Sequence, residues 1–232
     1  MTQKKQNFQK GSRQKFVKVK TAKGRKLSST QWLQRQLNDP FINLAKERNY
    51  KSRAAFKLIE IDEKYNLVKK AKVIIDLGCA PGGWLQVSRE INHKAKILGL
   101  DLLDIDLVPQ TDFIQGDFLE KDIKAQLLEY LKGRKIDLVL SDIAPATCGH
   151  KDTDHARLMV ILEDVLAFLK EQLNEGGSFV TKVFFGYETD QLRDNYKKHF
   201  KEVKFFKPES SRKESKEQYM VCRNFKATIN KE

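Results

Sequence analysis

From residue 73 onward, short apolar runs rich in β-branched residues alternate with stretches of helical periodicity, and this alternation narrows the fold more than any other feature of the chain. The runs are VIID (73–76), ILGLD (97–101), DFIQ (112–115), DLVLSD (137–142), SFVTKVF (178–184), EVKFF (202–206) and QYMVCR (218–223). Strand and helix in turn predict a mostly parallel sheet covered on both faces. Between the fourth and fifth runs, Leu158, Ile161, Leu162, Val165, Leu166, Leu169 and Leu173 recur at helical spacing, and Gly176-Gly177 is expected to end that helix. The last two runs are separated by a loop containing Pro208 and Ser210-Ser211, with no helical pattern, so they should pair antiparallel. The expected class is therefore α/β, a Rossmann-like sheet of seven strands with an antiparallel final hairpin.

Charge divides the chain differently. The formal net charge of +13 comes mainly from residues 1–38, which hold eleven Lys or Arg and no acid before Asp39. Residues 1–28 carry too few large apolar groups to offset the entropy of ordering and read as a basic, disordered extension. A single domain is expected over 29–228, followed by a short tail at 229–232. Its first helix should start after Ser28-Ser29-Thr30, which offer capping hydroxyls, with Trp32, Leu33 and Leu37 as the anchoring face. A second helix runs through SRAAFKLIEIDEKY, where Ala55, Leu58 and Ile59 form the buried stripe and Lys57 and Ile61 share a side off it.

Cys79, Cys148 and Cys222 show no paired spacing, and no segment resembles a signal peptide or reaches the length of a membrane span. A cytoplasmic protein is expected. A mitochondrial transit peptide would need Arg, Ser and an amphipathic stripe, whereas this N-terminus is Lys-rich and unpatterned. No feature calls for a protein partner, so a monomer is expected.

Ligands of an open parallel sheet bind beyond the carboxyl ends of its strands, where strand order reverses. Several polar residues fall there. Asp76 and Gly78 close the first run, and Gly82 and Gly83 allow a backbone to come close without a Cβ. Asp101 ends the second run, 18 residues past Gly83, at a place where a carboxylate can take both hydroxyls of an adenosine ribose. The loop spacing is G-x-x-x-G-G rather than G-x-G-x-x-G, which favours S-adenosylmethionine over a dinucleotide. Asp117 follows the third run and is placed to accept an adenine amino group, although a turn-capping role explains it as well. Lys182 sits inside an apolar strand, where a purely solvated ammonium is improbable, and Asp142 at the end of the neighbouring run is the available carboxylate.

Together SRAAFKL, DLGCAPGGW, SDIAP, GGSFVTKVF and SSRKESKEQY resemble the FtsJ/RrmJ (RlmE) family of 2′-O-ribose methyltransferases, over about residues 28–224. The segment SSTQWLQRQLNDPF looks like the bacterial large-subunit rRNA branch of that family. The resemblance implies a Lys-Asp-Lys-Glu tetrad at Lys57, Asp142, Lys182 and Glu217, and S-adenosylmethionine contacts at Gly82, Trp84, Asp101, Asp117 and Asp142; with Gly78 and Gly83 of the loop these make up the expected donor site. It also implies a substrate, a uridine ribose in the A loop of 23S rRNA within the 50S subunit. Ribose methylation needs no metal, and His150, Asp152, Asp154 and His155 read as loop acids and a helix cap. Phosphate contacts are expected from the basic extension, Lys51, Arg53 and Arg212-Lys213. The alternatives are ribose methylation of a tRNA anticodon loop, a mitochondrial rRNA enzyme, and a non-catalytic ribosome-assembly factor on the same fold.

Overall fold

The computed structural model describes residues 17–19, 24, 26–143, 151–184, 186 and 189–226, with the side chains of 151–156 excepted. Three helices come first: α1 (Leu27–Leu37), α2 (Pro40–Glu47) and α3 (Ala55–Tyr65). The rest alternates as β1 (Val73–Leu77), α4 (Gly83–Ile91), β2 (Lys96–Asp101), β3 (Asp112–Gln115), α5 (Lys121–Leu131), β4 (Ile136–Ser141), α6 (Lys151–Gln172), β5 (Leu173–Phe184), α7 (Thr189–Lys197), β6 (Phe200–Phe206) and β7 (Glu217–Phe225). The sheet runs β3-β2-β1-β4-β5-β7-β6. All pairs are parallel except those of β7, which lies antiparallel between β5 and β6.

Every residue of β1 is buried, because helices cover both faces of the sheet and leave no side for solvent. Alternation then splits each strand between two cores. Ile75, Leu77 and Val139 pack with Leu127, Leu162 and Leu169 on the α5/α6 side. Ile74, Leu138 and Leu140 pack with Leu58, Ile61 and Leu85 on the α3/α4 side. Each fully buried Leu or Ile contributes roughly 1.5–3 kcal/mol of transfer free energy. A shift of one residue in β1 would exchange its contributions to the two cores, so the register is strongly fixed.

The structure departs from expectation at the start of the chain. Leu27 opens α1 with Lys26 as its unassisted cap, so Ser28, Ser29 and Thr30 lie inside the first turn. Trp32 and Leu37 are exposed, and no residue of α1 is buried. What holds the helix is polar: Gln34 and Asn38 hydrogen-bond to the backbone of Val17 and Val19, including a Val17 N–H to Asn38 Oδ1 contact of 2.8 Å. In α3 the buried stripe is Ala55, Leu58, Ile61 and Tyr65, with Phe56, while Ile59 is only half-buried. Further on, α6 stops at Gln172 and β5 begins at once, so Gly176-Gly177 lies within the strand, next to an irregularity in the β4–β5 register. The sequence reading did not single out α2, although Asp39 caps it at the Phe41 amide and Pro40 is its first residue.

Candidate active site

Strand order reverses between β1 and β4, whose carboxyl ends open the crevice. The loop leaving β1 folds back on β2, with Gly78 N–H donating to the Leu100 carbonyl at 2.8 Å. A cis peptide joins Ala80 and Pro81. Gly82 then caps α4 at φ +105°, a conformation that a residue with a Cβ rarely adopts. At Gly83 a Cβ would come within 2.7 Å of Ser52 Oγ, so the close approach permitted there is to the segment preceding α3. Trp84 is buried, donates its indole N–H to the Ala54 carbonyl at 2.8 Å, and stands 5.6 Å from the Tyr219 ring. Ser52, Asp76, Gly78, Gly83, Trp84 and Asp142 line a common pocket.

Asp76 lines this pocket with Asp142, Asp101 ends the neighbouring β2, and Asp117 follows β3. Asp101 accepts from Ala80 N–H at 2.8 Å and Leu103 N–H at 2.9 Å, which ties the glycine loop to the end of β2. Asp117 accepts from Leu119 N–H at 2.9 Å, the turn-capping role that stood as the alternative to an adenine contact. Asp76 differs from both. It is fully buried, and neither of its oxygens has a hydrogen-bond partner among the described residues. Burial, followed by the neighbouring Asp142 and Asp101, pushes its carboxyl well above the usual range. A buried group of this kind is a ready site for an entering cationic amine.

A stability prediction follows from Asp76. A raised carboxyl contributes stability that is fully present below the unfolded value of about 3.9 and is lost as pH rises toward the folded value. Asp76→Asn removes that titration. Without ligand, the variant should gain in melting temperature relative to wild type between pH 5 and pH 8, at about 2–4 °C per kcal/mol in a chain of this size. A difference that does not change with pH would contradict the assignment.

The four tetrad residues converge as two ion pairs. Lys182 on β5 donates to the Asp142 carbonyl at 2.6 Å and lies 3.1 Å from its Oδ1. Lys57 on α3 contacts Glu217 Oε1 at 2.7 Å. The antiparallel β7 makes this possible: its first residues lie at the end of β5, with Glu217 opposite Phe184 and Tyr219 opposite Lys182. Tyr219, which the sequence reading passed over, links the pairs. Its hydroxyl donates to Asp142 Oδ1 at 2.7 Å, and the Lys57 ammonium sits 5.5 Å from its ring centre. The signal was the unbroken apolar run Tyr219–Cys222 in β7, which marks Tyr219 as buried without revealing what it meets.

Arg53 corrects another expectation. It is no free phosphate contact, because its guanidinium pairs with Asp39 and donates to the Ser210 carbonyl. Arg212 shares the same carboxylate, with Nε 3.6 Å from Asp39 Oδ2. Within α3, Glu60 accepts from the Ser210 amide at 2.9 Å, and Ser211 donates to Glu217 at 3.1 Å. The loop after β6 is thus clamped to α3 beside the Lys57–Glu217 pair. Among the described residues, the Lys51 ammonium pairs with Asp106 at 3.6 Å. His150 and the side chains of Asp152, Asp154 and His155 lie outside the described residues. No helix among the described residues is long and apolar enough to cross a membrane.

Comparison with known proteins agrees with this architecture. The profile of the FtsJ-like methyltransferase family matches residues 50–225. A protein of Granulibacter bethesdensis named ribosomal RNA large subunit methyltransferase E is 49% identical over 216 residues, covering 93% of each chain. One of the same name from Rickettsia bellii is 46% identical, covering 93% of this chain and 97% of its own. Among solved structures, a candidate ribosomal RNA methyltransferase from Plasmodium falciparum is 37% identical with a TM-score of 0.68, over 76% of this chain and 98% of its own. A glycine loop on β1, a crevice at the point of strand reversal and this breadth of similarity lead to one conclusion: the chain belongs to the FtsJ-like methyltransferase family.

Proposed function

We propose that this protein transfers a methyl group from S-adenosylmethionine to the 2′-oxygen of a uridine ribose in the A loop of 23S rRNA, acting on the 50S subunit. The observation that carries the reading is the pairing of Lys182 with Asp142 and of Lys57 with Glu217 at the mouth of the crevice. The names of the relatives support rRNA as the substrate.

The residues fit the donor. Asp76 would offer an unpartnered carboxyl to an amine, Asp101 its remaining lone pairs to ribose hydroxyls, and Asp117 an acceptor to the adenine amino group. Gly78, Gly82, Gly83 and Trp84 shape the wall, and Asp142 separates donor from acceptor. When bound, the donor supplies a methyl group on a sulfonium, which is already electrophilic, so the protein's task is alignment and the handling of one proton.

Lys182 has three N–H donors; one goes to the Asp142 carbonyl, and the ammonium is also ion-paired with Asp142 Oδ1. A remaining donor can hold the 2′-oxygen. Transfer would move the methyl group from sulfur to the 2′-oxygen and release the hydroxyl proton to bulk water; Lys182, holding that oxygen, would stabilise the negative charge that builds on it as the proton departs. Lys57 and Glu217 complete the wall that receives the ribose, with Tyr219 holding Asp142 in place.

Purified protein, methyl-labelled S-adenosylmethionine and 50S subunits from cells lacking this protein provide the test. Label should be recovered in 2′-O-methyluridine after digestion. Label in a methylated base, or in tRNA alone, would refute the reading.

A further inference from the structure

We infer that the outward face of α1, centred on Trp32, is a stacking platform for an unpaired base of the RNA substrate; the inference rests on the reading of the substrate as RNA. No residue of α1 is buried, although a helix of this length ordinarily owes its stability to an apolar face packed on the body. Trp32 is 54% exposed. Ser28, Gln31 and Arg35 are exposed with it, and their spacing puts all four on one side of the helix.

The pattern distinguishes between partners. Leu27 and Leu37 are also exposed, but each is five residues from Trp32, about 140° away around the helix, so the three form no continuous apolar stripe. A membrane surface or an apolar protein groove needs such a stripe. Here a single large ring stands among a hydroxyl, an amide and a guanidinium, a set suited to a base: a π face to stack on, polar edges to hydrogen-bond and a phosphate nearby. Charge agrees with this. The chain carries no acid before Asp39, and eleven Lys or Arg up to that point, so the partner is a polyanion.

The anchoring of α1 places this face relative to the tetrad. Asp39, two residues past the helix end, is almost fully buried between Arg53 and Arg212. Arg53 also holds Ser210, and the next residue, Ser211, holds Glu217. An RNA strand stacked on Trp32 is therefore registered to the Lys57–Glu217 end of the site through a short run of polar contacts.

The experiment measures affinity for a protein-free fragment of large-subunit rRNA and for 50S subunits. Trp32→Ala should weaken both by about tenfold, given that a base–aromatic stack is worth roughly 1–3 kcal/mol and 1.4 kcal/mol is a factor of ten. Trp32→Phe should stay within about threefold of wild type, since a smaller ring still stacks. The loss should fall on KM for RNA rather than on kcat, and donor affinity and melting temperature serve as checks on folding. The other tryptophan, Trp84, is buried, so RNA should quench a fluorescence component that disappears in Trp32→Phe. Arg35→Ala should flatten the log–log salt dependence by about 0.7–0.9, whereas Trp32→Ala should leave that slope alone. Unchanged affinity for both ligands in Trp32→Ala would overturn the inference. So would a loss on 50S subunits with none on naked RNA, which would indicate a ribosomal protein, or a Phe variant as weak as Ala. Wild-type protein that binds rRNA through Trp32 yet methylates none would refute the proposed function instead.

Discussion

Lys182→Ala should lower the single-turnover rate of methyl transfer by about 10³-fold while donor and RNA still bind, because its remaining donor is fully used only as charge develops on the attacking oxygen. The geometry sets a condition on this experiment. Lys182 is buried and contacts both the carbonyl and the carboxylate of Asp142, so the substitution leaves that carboxylate, among the described residues, with the Tyr219 hydroxyl alone. Removing one partner of a buried pair costs about 3–5 kcal/mol of stability. Lys182→Met, which keeps the stem's bulk, should therefore be compared at a temperature where all three proteins are folded. The same loss of rate is expected for both variants, with KM changed little. Transfer within about threefold of wild type by a folded variant would remove Lys182 from the chemistry.

Asp101→Ala should abolish measurable binding of S-adenosylmethionine, a loss of at least about 100-fold in affinity or roughly 2.7 kcal/mol. Two effects act together. The carboxylate is the proposed acceptor for the donor's ribose hydroxyls, and it also fixes the Ala80 and Leu103 amides around the glycine loop. Charged acceptors of this kind contribute about 1.5–3 kcal/mol each. Asp101→Asn keeps the shape and one acceptor oxygen, so it should fall between alanine and wild type. Calorimetry on the folded variants measures both, and an unchanged affinity for Asp101→Ala would take this residue out of the site.

Much of the architecture was legible because parallel strands buried on both faces are written as continuous apolar runs. DFIQ became β3 without a change of boundary, and the other six strands moved at one or both ends. The antiparallel pairing of β6 with β7 was also readable from the loop between them, which holds no helix. Where packing decides, reading was poorer. Ile59 and Ile61 are equally apolar, and only the position of α3 over the sheet selects Ile61 for the core. Trp32 reads as an anchor by composition, yet α1 is held by Asn38, Gln34 and Asp39 instead. Arg53 looked available to phosphate because its captors, Asp39 and the Ser210 carbonyl, are 14 and 157 residues away in sequence.

The site shows the same division. Lys182 and Asp142 could be paired from their places on neighbouring strands, and the parallel β4–β5 ladder makes that pairing real. Lys57 and Glu217 were reached through family resemblance, since nothing local to a helix and a loop tells that a strand inserted between β5 and β6 will bring them to 2.7 Å. Tyr219 escaped altogether as a functional group, and Asp76, placed at the end of the first run, was given no role. Both are defined by what surrounds them in three dimensions: a hydroxyl shared with Asp142 in one case, and the lack of any described partner in the other.

Ribose-methylation mapping of all cellular RNA, with and without this protein, tests the central claim most directly. The account predicts that one uridine in the A loop of 23S rRNA loses its 2′-O-methyl group when the protein is absent and regains it on complementation with wild type but not with Lys182→Ala. An unaltered rRNA map, or a lost methyl group confined to tRNA, would contradict it.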